Sequence, residues 1–167
     1  MKNNKLQELY KANNKQLNYQ SIASNLEGIL TDEDVSIYPH YEKERLTYFL
    51  NKVNFENKKV LDIGGNMGFF TFEACNAGAD HIDYYEGNVT RADFVKEGAH
   101  DAGVDEKISV FPCYYLFDQL EKKYDIAFLL NVVHHLGGDY GKSNDMDDAK
   151  TNMLASICQM AFVAKTM

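Results

Sequence analysis

From residue 58 onward the apolar positions alternate between short dense runs and longer stretches at helical spacing. "KVLDIG" predicts a strand and "GFFTFEACNAG" a helix ended by Gly78. "HIDYYEG" and "TRADFVKEGAHDAG" repeat that pair, "ISVFPCYY" adds a third strand, and "YDIAFLLNVV" reads as a long buried fourth. "MDDAKTNMLASICQMAFVAK" then predicts a helix with Met153, Leu154, Ile157 and Met160 on one side. Strands separated by helices call for right-handed crossovers, so the predicted fold is α/β: a doubly wound, mainly parallel sheet with helices on both faces.

Ahead of this core, Leu6, Leu9, Tyr10, Leu17, Ile22, Leu26 and Ile29 recur every three to five residues in most places, which predicts one or two amphipathic helices. "TDEDVSIYPHYEKERLTYFLNKV" follows as an acidic turn, a break at Pro39, and a helix able to turn Leu46, Phe49, Leu50 and Val53 inward. Residues 1–57 are therefore expected to form a helical cap or lid, and residues 58–167 the core. The strand count stops at four, at "FVAKTM", where a fifth strand is due. The expectation is a core incomplete at its C-terminal end, whose open sheet edge invites self-association.

Charge and composition narrow the function. A formal charge of -8 with a pI near 5.0 argues against a surface built for nucleic acid, which needs clustered Lys and Arg. No run of eighteen apolar residues appears, and "MKNNKLQELYKANN" lacks the apolar segment of a secretory signal, so no membrane role and a cytoplasmic location are expected. Cys75, Cys113 and Cys158 are odd in number and far apart, which excludes a disulfide framework and predicts reduced, buried thiols.

The candidate chemistry starts at "LDIGGNMGFFT". A glycine turn between a first strand and its helix lets the backbone approach a ligand closely at a helix N-terminus. Gly64, Gly65 and Gly68 miss the G-x-G-x-x-G register of a dinucleotide site, and no G-K-[ST] follows. The stretch resembles motif I of the class I S-adenosylmethionine-dependent methyltransferases, in the variant D-x-G-x-N-x-G-x-F-T of FkbM-type sugar O-methyltransferases. Asn66 replaces a common glycine, and asparagine is the residue that best tolerates positive φ there. Glu86, 22 residues past Gly64, ends the second strand, where a carboxylate can accept both ribose hydroxyls.

The resemblance implies a Rossmann-like fold, S-adenosylmethionine as cofactor and S-adenosylhomocysteine as product. It places the cofactor on Asp62, Gly64, Gly65, Asn66, Gly68 and Glu86. The aspartate with which many relatives read adenine is missing, and Tyr114 stands near its place in "FPCYYLFD", with Phe111 and Asp118 as further options. In this superfamily the segment before motif I closes over the cofactor, so Arg45 and Tyr38 are expected to meet the methionyl group.

Beyond the fourth strand, "LLNVVHHLGGDYG" brings Asn131, His134 and His135 to the end of the sheet where open α/β folds bind substrate. This stretch resembles an "LHHL" signature of small-molecule methyltransferases. An imidazole there suits proton removal from a hydroxyl acceptor, with His134 facing substrate and His135 packing structurally. The nearby Asp139, Asp145, Asp147 and Asp148 lack the register of a zinc or EF-hand site and read as a solvated loop before a capped helix. The expected activity is methylation of a small polar acceptor, on the oxygen of a sugar or surface-glycan building block. An RNA or protein methyltransferase is the rival; acidic charge and a strand end reading "NVVH" rather than N/D-P-P-Y speak against it. A truncated, non-catalytic cofactor-binding subunit is the other, with intact Asp62, Gly64, Gly68 and Glu86 pointing to retained cofactor binding.

Overall fold

The apolar run ahead of the glycine turn forms β1 (Lys59–Ile63), in which Val60, Leu61 and Ile63 are at most 1% exposed. A strand buried on both faces belongs at the centre of a parallel sheet. The computed structural model describes residues 4–14, 20–30, 41–118, 123–135 and 143–167. Beside β1 lie β2 (His81–Tyr85), β3 (Ile108–Phe111), β4 (Tyr124–Phe128) and β5 (Ala164–Thr166). All pair in parallel, in the order β3-β2-β1-β4-β5. The register sets Asp62 beside Tyr84 on one side and Phe128 on the other, so the strands end along one rim.

Helices α3 (Phe69–Asn76) and α4 (Val89–Asp101) cross between the strands on one face. There Phe69, Phe70, Phe72, Phe94 and Val95 pack on Val60, Ile82, Tyr84, Ile126 and Phe128. Helix α5 (Met146–Val163) covers the other face, where Met160 and Val163 join Leu61, Ile63 and Ala127. The fold is α/β and Rossmann-like, as the strand and helix rhythm predicts. Gly78, at φ 94°, ends α3 as expected of a glycine after a helix. Asp145 caps α5 by accepting the N–H groups of Asp147 at 3.0 Å and Asp148 at 2.9 Å, the capped helix expected after the acidic loop.

Before β1 come α1 (Asn4–Asn14), a short 3-10 turn (Ser24–Leu26) and α2 (Glu42–Lys52). Leu6 and Tyr10 of α1 are fully buried, with the Tyr10 ring 6.0 Å from that of Phe94 on α4. The N-terminal segment thus shares the core of the first sheet face.

Several expectations are corrected. The sheet has five strands rather than four, because "VAKT" turns from helix to strand: Val163 and Ala164 are buried, and Lys165 pairs with Asp125 at 2.6 Å. The fourth strand ends at Phe128, and Asn131, at φ 58°, stands outside the extended conformation. The third stops at Phe111, before Pro112, which has no N–H to give a ladder. Leu50 and Leu154 are 47% and 63% exposed. Leu154 follows Met153 by one residue, about 100° around the helix from the packed side, and Leu50 falls at the rim of its stripe. Cys75 is buried, but Cys113 and Cys158 are exposed. No described helix is long and apolar enough to cross a membrane.

Candidate functional site

At the rim of the sheet the chain leaves β1 through Gly64, whose N–H donates to the Tyr85 carbonyl at 2.8 Å. The turn is left-handed at Gly64, Asn66 and Gly68, with φ of 68°, 55° and 77°. Asn66 thus adopts the positive φ that its place in the motif predicts. Gly68 closes the turn onto Gly65 O at 2.9 Å and caps α3. A Cβ on Gly65 would lie 2.5 Å from the Tyr84 ring and 2.7 Å from Asp62 Oδ2, so the backbone passes where no side chain fits.

The end of β2 is bonded to this turn. Glu86, 8% exposed, accepts the Asn66 N–H on Oε2 at 3.0 Å and the Asn88 N–H on Oε1 at 2.8 Å. The Tyr84 hydroxyl donates to the Asn66 carbonyl. Each Glu86 oxygen keeps lone-pair capacity for a further donor. Asp62 lies behind the turn, 3% exposed, and accepts the Thr71 hydroxyl at 2.6 Å. Burial pushes its carboxyl up to about 7; the Thr71 bond opposes the rise and the Glu86 charge adds to it.

These groups line a cavity of about 420 Å³ along the ends of β1, β2 and β4, within the range of small-molecule sites. Gly64, Gly65 and Asn66 form its floor, and Glu86, Gly87, Asn88 and Tyr114 one wall. A Cβ on Gly87 would stand 2.2 Å from the Tyr114 ring, so glycine lets that ring approach the backbone closely. Leu130, Asn131, Val132 and His135 form the wall after β4. Gln20, Glu42 and Arg45 close it from the N-terminal segment. Gln20 accepts the Phe69 N–H at the start of α3 at 3.3 Å, and the Ser21 hydroxyl donates to Glu42 at 3.2 Å.

Of the residues singled out in the sequence, Asp62, Gly64, Gly65, Asn66, Glu86, Tyr114, Asn131, Arg45 and His135 meet around one cavity. Gly68 supports the turn from the α3 side. Phe111 does not line the cavity: its ring stacks on Tyr85 at 4.5 Å. His135, the member of the histidine pair expected to pack structurally, lines the cavity from the turn Val133–His135. Tyr38 and the His134 side chain lie outside the described residues. Among the described residues, no three His, Cys, Asp or Glu side chains are grouped to hold a metal ion.

Sequence reasoning missed Gln20, Glu42, Gly87, Asn88 and Arg91. Asn88 had a signal, since an asparagine just before a helix is a standard cap, and its side chain accepts the Arg91 N–H at 3.2 Å. Gln20 and Glu42 had none, because only the packing of the N-terminal segment brings them to the glycine turn.

No family model and no curated protein matches the chain. Among solved structures, the bifunctional kinase-methyltransferase WbdD superposes with a TM-score of 0.69 at 20% identity, over 95% of this chain and 33% of that one. A second WbdD structure gives 0.68 at 21% identity, over 95% and 34%. The ribosomal protein L11 methylase from Lactobacillus delbrueckii subsp. bulgaricus gives 0.45 at 16% identity, over 59% and 53%. The WbdD likeness is one of fold, and this chain spans about a third of the length of WbdD.

Proposed function

We propose that this chain is an S-adenosylmethionine-dependent methyltransferase acting on a small polar acceptor, on the oxygen of a sugar or surface-glycan building block. The observation that carries the reading is Glu86: a buried carboxylate, oriented by two backbone N–H groups, facing a cavity floored by the glycine turn. Such an acid fits the vicinal hydroxyls of a ribose. The Tyr114 ring beside Gly87 fits an adenine, and Arg45 fits the carboxylate of a methionyl group. The D-x-G-x-N-x-G-x-F-T pattern supports the sugar acceptor, and the charge of -8 weighs against a nucleic-acid substrate.

Bound there, S-adenosylmethionine supplies a methyl group for in-line displacement at its sulfonium. The residues of this chain then have three tasks. Glu86, Tyr114 and the turn hold the nucleoside end; Leu130 and Val132 exclude water beside the fourth strand; His135 takes the proton of the acceptor hydroxyl. Residues 1–57, in this reading, are a cap that completes the cavity through Gln20, Glu42 and Arg45.

Isothermal calorimetry with S-adenosylhomocysteine, S-adenosylmethionine and NAD tests the cofactor. Saturable binding of the first two and none of NAD is expected. NAD binding alone, or no binding of any, overturns the reading. Transfer of labelled methyl to a panel of monosaccharides and sugar phosphates then tests the acceptor class.

A further inference from the structure

The outer edge of β5 closes the sheet beyond β4, and no described strand pairs with it. The β4–β5 ladder joins Tyr124 and Ile126 to Ala164 and Thr166 and stops there, although β4 runs on to Phe128. Beside this edge lies an apolar groove of about 540 Å³, walled by Phe49 of α2, by Phe128, Leu129 and Val133, and by Ile157 of α5. Its rim is apolar too: Tyr48, Leu154 and Met167 are 60%, 63% and 62% exposed. Tyr48 and Met167 line the groove themselves, and Leu154 precedes Ile157 by three residues, which sets both on one flank of α5.

Unpaired N–H and C=O groups along a strand edge call for another strand, which a lipid chain or an apolar small molecule does not bring. Charged side chains, lysine above all, ordinarily guard such an edge. Here Lys165, the one charge on β5, is drawn to Asp125 of the neighbouring strand at 2.6 Å. An edge strand can pair antiparallel with its own copy about a two-fold axis, which lays the knobs and groove of each copy against the same surface of the other. Tyr48, Leu154 and Met167 expose about 100 Å² each, so they supply roughly 300 Å² of the ~800 Å² that each partner of a stable interface buries. The groove walls and the strand edge extend the same patch. We infer that the β5 edge and its groove form the interface of a two-fold homodimer, in which the sheets of two copies join through antiparallel β5 strands. This goes beyond the methyltransferase reading and stands without it.

Sedimentation velocity on the full chain over roughly 1–100 μM, combined with amide hydrogen exchange, tests the interface. Wild type should sediment as a dimer at the upper end of that range. The amides of residues 164–167 should exchange more slowly in the dimer than in the monomer, obtained by dilution or as Leu154→Lys. Leu154→Lys and Tyr48→Lys change side chains that face water in a single copy, and each should weaken the dimer about 10-fold or more, with circular dichroism melting as the check on folding. A wild-type chain that stays monomeric throughout overturns the inference, and so does a species larger than a dimer. A dimer that neither substitution weakens, or whose 164–167 amides exchange at the monomer rate, overturns it as well, since the contact then lies on another face.

Discussion

The Asn66 N–H donates to Glu86 Oε2 at 3.0 Å, joining the glycine turn to the end of β2 across twenty positions of chain. The acid at the cavity wall is therefore held in place by the same backbone that forms the cavity floor. An acceptor oriented before the ligand arrives loses less freedom on binding.

Removing that acid should separate its two duties. Glu86→Gln keeps an oxygen for one N–H and loses the charge; Glu86→Ala leaves both the Asn66 and Asn88 N–H groups without their partner. We expect S-adenosylhomocysteine affinity to fall about 10-fold or more in either variant, and stability to fall by about 1–3 kcal/mol in the alanine variant. Calorimetry and denaturant titration read the two effects, and unchanged affinity in both variants would remove Glu86 from the site.

His135→Ala should lower methyl transfer by roughly 10²-fold to 10⁴-fold once an acceptor is in hand, with S-adenosylhomocysteine affinity within about threefold of wild type. Single-turnover rates measure the first and calorimetry the second. A loss confined to His134→Ala would hand the proton to its neighbour.

Asp62 makes a pH prediction. Burial raises its folded carboxyl to about 7 from 3.8, so between those values the folded protein holds a proton that the unfolded chain has released. With more protons bound in the folded state, this group makes stability fall as pH rises through the window, and adds no slope above it. Asp62→Asn removes the titration. The unfolding free energy of wild type relative to this variant should decline by up to about 1.4 kcal/mol per pH unit from about pH 4 to pH 7. A difference that stays constant across that range would show that the buried acid does not titrate there.

Gly65→Ala and Gly87→Ala should differ although both crowd a tyrosine. At Gly65 the obstructing atoms belong to Tyr84, fully buried, and to Asp62, 3% exposed, so neither can give way. We expect a loss of about 1–3 kcal/mol. At Gly87 the obstacle is the Tyr114 ring, 47% exposed, so the ring can shift toward solvent. Stability should stay within about 0.5 kcal/mol while nucleoside affinity falls. Equal melting temperatures for Gly65→Ala and wild type would contradict the packing behind the turn.

The sequence by itself determined the elements and the local chemistry of the turn. The first four strands and the helices of the core follow from runs of neighbouring apolar positions, and the positive φ of Asn66 from the tolerance of one residue type at one place. Glu86 was legible because a parallel strand ends where its polar residue begins. What only the tertiary structure decided is what meets across the chain. The edge strand Ala164–Thr166 exists through pairing with Tyr124 and Ile126, about forty residues earlier, and three residues alone carry no strand signal. Gln20, Glu42 and Arg45 reach the cavity because α1 and α2 bury Leu6, Tyr10 and Phe49 against the first sheet face. Periodicity says that a helix has an inward face, but not which groups its rim will touch. That is settled by the packing of apolar surfaces distant in sequence, and it made Glu42 a cavity residue and left Leu154 in water.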